Sequence, residues 1–148
     1  AKIKLNRWEA GVLEEEAARH GFVCWLRNQP KARWALCIPY ETDGVTAPMY
    51  PDFLVIRQDE EGEYVIDVLE PHGDQFADSL GKAKGLAQYA GEEPAIGRVQ
   101  LIRQSKDPAG KLRFKRLDFS QGAVRDKVKK AINTDELDHI FEDEGFFI

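Results

Sequence analysis

Two apolar runs, each interrupted by a carboxylate, constrain this chain more than any other feature. Tyr50-Pro51-Asp52-Phe53-Leu54-Val55-Ile56 and Tyr64-Val65-Ile66-Asp67-Val68-Leu69-Glu70 are rich in β-branched, aromatic and aliphatic residues, as buried strands are. The polar stretch from Arg57 to Glu63, with Gly62, suits a hairpin loop between them. An unpaired charge in a core costs several kcal/mol, so an Asp retained in such a strand meets a cation or a metal. On adjacent antiparallel strands two such acids can converge at one end of a sheet. That is a way to hold a hard divalent cation.

The rest of the chain is consistent with one ordinary domain over residues 1–148, with 43% hydrophobic and 32% charged residues. No apolar run approaches ~18 residues and no signal peptide opens the chain, so a cytoplasmic protein without a membrane partner is expected. The start at Ala1 fits either a processed start or the excised end of a larger protein. Cys24 and Cys37 have no metal-ligand spacing and read as reduced core residues.

Asn6 and Glu9 form a capping-box signature and Gly21 a stop, which predicts a helix near 7–20. Strands are expected at 22–26, at 34–38 ending at Pro39, at 50–57 and at 64–70, with a loop from Glu41 to Pro48. Phe76, Leu80, Ala83, Ala87 and Ala90 fall at helical spacing. Two more strands, 98–103 and 112–119, flank the turn at Asp107-Pro108-Ala109-Gly110. Ser120 and Thr134 are placed to cap two last helices. This order predicts an α/β fold, a central mixed sheet flanked by helices.

Charge is unevenly distributed. The net charge is -5, yet residues 98–130 carry +8 while residues 38–97 carry -10. The block at 98–130 suggests a surface for a polyanion on an otherwise acidic chain.

Mg²⁺ needs only one or two carboxylates together with waters and substrate phosphate oxygens. Asp52 and Asp67 are the candidate ligands, and Glu70, at the end of its strand before Pro71, is a third acid near the same end. His72 follows at the mouth of the expected site and has the chemistry of a proton acceptor, phosphate contact or ligand. There is no Gly-rich phosphate loop and no Gly-x-Ser-x-Gly elbow, which argues against an ATPase motor or acyl transfer within this chain.

Pro51-Asp52, a second acid-bearing strand and then a helix resemble the PD-(D/E)XK nuclease superfamily, with its restriction-endonuclease-like fold. More narrowly, the runs Ile66 to Gly73 and Lys82 to Ala90 resemble the nuclease-type C-terminal domain of DEAD/DEAH-box helicases related to type III restriction subunits. The resemblance implies a Mg²⁺-dependent DNA endonuclease domain, Mn²⁺ substituting, within a restriction or phage-defence helicase–nuclease system. A helicase/ATPase domain in the same or a partner chain is implied with it. Metal would be held by Asp52 and Asp67, with Glu70 and the backbone carbonyl of Val68. The family pattern places Lys two residues after the second acid; counted from Asp67, that position is Leu69. A helix-borne Lys82 or Lys84 is the expected substitute, and periodicity does not choose between them. Arg103, Lys111, Arg113, Lys115 and Arg116 would hold the phosphate backbone. The competing expectation is a nuclease-like fold that has lost catalysis and binds nucleic acid or a partner.

Overall fold

The computed structural model describes residues 4–71 and 78–148. Helix α1 (Arg7–Ala17) opens with the capping box foreseen from Asn6 and Glu9, each side chain satisfying the other residue's backbone N–H. It leads into β1 (Phe22–Arg27). A two-stranded hairpin follows, β2 (Ile38–Thr42) and β3 (Val45–Met49). The acid-bearing runs form β4 (Phe53–Gln58) and β5 (Tyr64–Pro71). Then come α2 (Ser79–Glu92), β6 (Val99–Lys106), β7 (Leu112–Asp118), α3 (Gly122–Lys130) and α4 (Thr134–Glu144).

Five strands form one mixed sheet in the order β1-β4-β5-β6-β7. Only β5 and β6 run parallel, and α2 supplies the crossover that a parallel pair requires. Strand alternation divides the core in two. Phe53, Val55, Leu69 and Ile102 pack with Val12 and Leu13 of α1 on one face. Val68, Val99, Leu101 and Leu117 pack with α2, α3 and α4 on the other. No helix among the described residues is long and apolar enough to cross a membrane.

Four local expectations are corrected. Trp34 to Cys37 lies outside any strand, because the buried Asn28 side chain bonds both the N–H and the carbonyl of Leu36, at 2.8 Å each, and holds that segment as a loop. The expected loop at 41–48 is mostly the β2–β3 hairpin, turned by Asp43 (φ 51°) and Gly44 (φ 74°), the left-handed pair that a tight hairpin needs. Ser120 bonds Asp118 and does not cap α3, while Asn133, one residue before Thr134, caps α4 by accepting from the Glu136 N–H. Cys24 and Cys37 are free thiols but exposed, not core residues.

Candidate functional site

The β4–β5 register builds the site. Phe53 pairs with Leu69 and Val55 with Asp67, which brings Asp52 opposite Glu70 at the end of the sheet. The Asp52 N–H reaches Glu70 Oε1 at 3.3 Å. Because Phe53 and Leu69 point into the α1 face, their neighbours Asp52 and Glu70 turn to the α2 face. Pro51, buried just before the strand, removes an N–H donor there and helps fix the chain's entry into the sheet.

Both carboxyls are perturbed, and for related reasons. Burial pushes Asp52 upward, helped by the negative charge of Glu9. Glu70 is held well above the usual carboxylate range, first by burial and then by the charge of Asp52 beside it. Arg27 and Lys82 pull Asp52 down, and Lys82 also pulls Glu70 down. Two adjacent acids with too little solvent to ionise together retain a proton or take up a cation.

Lys82 is the nearby ammonium, one turn into α2. Its Nζ lies 3.6 Å from Asp78 Oδ2 and 5.8 Å from the centre of the Tyr40 ring. The Tyr40 hydroxyl donates to the same Asp78 oxygen at 3.1 Å, which ties the β2–β3 hairpin to the start of α2. Two glycines permit this docking: a Cβ at Gly81 would collide with the Glu41 carbonyl oxygen, and one at Gly85 would press on that of Pro39. Lys84 leaves on the other flank, its Nζ 3.3 Å from the Lys129 carbonyl. Between the two lysines left open by periodicity, the geometry favours Lys82.

Asp67 is not brought to Asp52. It lies three residues from Glu70 along β5, an odd step that turns it to the α1 face. There it is fully buried and accepts from Arg57 Nε at 2.8 Å, the Arg98 N–H at 2.6 Å and Arg98 Nη2 at 2.6 Å. A Cβ at Gly97 would overlap its carboxylate, so the close approach of this backbone requires glycine. Burial raises its pKa to about 6 against the pull of Arg57, still below neutral pH, so it is ionised and engaged. Val68 sits inside the sheet between Leu54 and Val99 and packs in the core. His72 lies outside the described residues.

The arginines expected to clamp phosphate are engaged within the molecule. Arg103 pairs with Asp138 at 2.7 Å and lies 4.1 Å from the centre of the Phe141 ring. Arg116 is buried and bonded to Glu15, Glu16 and Gln100. Arg113 is 3.6 Å from Asp107 and stacks on Phe147 at 5.0 Å, with Lys115 over the same ring at 5.7 Å. Of the five residues expected to clamp phosphate, Lys111 is exposed, Arg113 and Lys115 are half-buried, and Arg103 and Arg116 are buried. The three arginines are thus engaged within the molecule, whereas Lys111 and Lys115 have no ion pair among the described residues.

The chain matches the YagJ family over residues 1–146. It belongs to the YagJ family. Protein YagJ of Escherichia coli (strain K12) is 37% identical over 135 residues, a match covering 90% of this chain and 53% of that protein. The chain therefore spans about half the length of that curated YagJ relative. No solved structure matches it.

Two acids of this YagJ-family chain escape a reading of its sequence. Glu9 serves the capping box, yet its second oxygen lies 3.2 Å from Arg27 and its charge acts on Asp52. Glu16 belongs to a triplet that reads as a solvated face, yet it is buried against Arg98 and Arg116. The helical offset from buried Val12 and Leu13 was the available signal for Glu9 and Glu16, each lying three or four residues away. Among the described residues no group of three or more His, Cys, Asp or Glu side chains is arranged to hold a metal.

Proposed function

We propose that this domain is a Mg²⁺-dependent DNA phosphodiesterase of the PD-(D/E)XK kind, with Asp52 and Glu70 as its paired carboxylates. The juxtaposition of Asp52 and Glu70 on the α2 face, with Lys82 acting on both, carries the reading. The donor set fits: hard carboxylate oxygens at the end of the sheet suit Mg²⁺, which takes one or two such ligands and completes its shell with water and phosphate oxygens. When bound, that ion would lower the pKa of a water and offset charge on the phosphate.

The chain's own groups divide the remaining work. Burial and mutual repulsion favour the protonated forms of Asp52 and Glu70, which couples metal uptake to pH. Lys82 would offset charge on the scissile phosphate, and its contact with Asp78 and Tyr40 restrains its ammonium. Taking Glu70 as the second acid also moves the family's Lys position. It falls on His72, not on Leu69, whose side chain is fully buried in the α1-face core. His72 thus stands where the superfamily carries its Lys, and an imidazole is able to accept a proton. ATP-driven movement along DNA would come from a separate helicase domain or partner chain, since these 148 residues contain no phosphate-binding Gly-rich loop.

Cleavage of single- and double-stranded DNA with Mg²⁺ or Mn²⁺ tests the proposal. Wild type should cut at least one form, and Asp52→Ala and Glu70→Gln should cut none. If wild type cuts neither and binds no Mn²⁺, the fold has lost catalysis and the binding-module reading replaces this one.

A further inference from the structure

Beyond the β6–β7 block, further lysines without an ion pair among the described residues flank α2. Gly81, Lys84, Gly85 and Gln88 form one stripe of α2, at successive helical spacings of three, one and three. This stripe faces the β2–β3 hairpin across a groove of about 730 Å³, closed on its far side by Lys129 at the end of α3. Lys84 and Lys129 have no ion pair among the described residues, and exposed Lys130 follows them. Among the described residues Glu41 is the one acid lining the groove, and its carboxylate accepts from the Thr46 hydroxyl. Tyr40 also lines the groove, and through Asp78 and Lys82 it connects this wall to the carboxylate pair.

We propose that a nucleic-acid strand lies along this groove, over the seam where the hairpin docks on α2, its phosphates held by Lys84 and Lys129. The nature of the strand rests on the phosphodiesterase reading, while the cationic wall does not depend on it. Phosphate contacts of this kind position a strand without reading its sequence. The assignment also relocates the nucleic-acid surface from the arginines of β6 and β7, which are already paired, to lysines that are not.

Anisotropy of a labelled oligonucleotide, single-stranded and as its duplex, tests this on the full chain in EDTA across a salt series. Lys129→Glu reverses an exposed charge and leaves the fold intact, whereas Lys84→Gln also removes the contact to the Lys129 carbonyl. Each should weaken binding at least about fivefold for unrelated sequences, and Lys84→Gln should flatten the salt slope by roughly 0.7–0.9. Arg113→Gln should leave both unchanged, and Mn²⁺ binding should survive in all three variants. If Lys129→Glu and Lys84→Gln bind as wild type does, the groove assignment is wrong even where cleavage is intact. If wild type neither cuts nor takes up Mn²⁺ while both variants lose DNA binding, the groove stands and the phosphodiesterase reading falls.

Discussion

Asp67→Ala separates a structural acid from a metal ligand. The Asp67 carboxylate accepts four hydrogen bonds, from Arg57 Nε, the Arg98 N–H, Arg98 Nε and Arg98 Nη2, at 2.8, 2.6, 3.1 and 2.6 Å. Breaking a buried ion pair from one side costs ~3–5 kcal/mol, because the partner charge stays behind uncompensated. Here Arg98 keeps Glu16 at 3.1 Å, and the Arg57 side chain is 27% exposed. Both effects place the loss at the lower end, about 3 kcal/mol. For a chain near this size, a loss of about 3 kcal/mol lowers Tm by ~6–12 °C. Thermal melts and urea titrations should show that drop with the urea m value unchanged. Calorimetry at a temperature where the variant is folded should show wild-type Mn²⁺ affinity. A Tm within about 2 °C of wild type, together with lost Mn²⁺ binding, would refute the assignment.

Three further outcomes are expected. Because burial and mutual repulsion raise the pKa of Asp52 and Glu70, their stabilising contribution to the metal-free fold is complete below the unfolded carboxylate range of about 4. It is lost as pH rises through their higher folded values. Wild type in EDTA should therefore lose more Tm between pH 5 and pH 8 than Asp52→Asn/Glu70→Gln, and equal slopes would discount the coupled pair. Lys82→Ala should lower turnover by ~10²-fold or more with Mn²⁺ affinity little changed, whereas Lys84→Ala should leave turnover at saturating DNA intact; the reverse order would assign the role to Lys84. Gly81→Ala should push the hairpin off α2, costing ~1–3 kcal/mol in denaturant melts and reducing cleavage while leaving Mn²⁺ binding in place.

Much of the fold was legible because local chemistry decides it. The Asn6/Glu9 box, the β-rich runs at 22–26 and 64–70 and the helical spacing from Leu80 to Ala90 each correspond to an element. The hairpin at 38–49 was missed although Asp43-Gly44 is a strong tight-turn signal, because Pro39 and Pro48 argue against strands there. In the structure the two prolines are cross-strand partners in an isolated two-stranded ribbon, where a missing N–H is tolerated. The candidate site was half legible. Asp52 and Asp67 stood out as acids in apolar runs, with Glu70 a third acid at a strand end, and composition does not say which cation a buried acid meets. That choice depends on register and on which face each helix covers: Phe53 against Leu69 separates Asp67 from Asp52. That Arg103 and Arg116 of the basic block are paired was hidden for a similar reason, since their acidic partners on α4 and α1 are distant in sequence.

A Mn²⁺ titration by calorimetry, followed by a Mn²⁺-soaked crystal, tests the central claim most directly. The paired-carboxylate account predicts proton-releasing Mn²⁺ binding that tightens with pH, anomalous density between Asp52 and Glu70, and loss of both in Glu70→Gln. Mn²⁺ held at Asp67, or binding undiminished in Glu70→Gln, would contradict it.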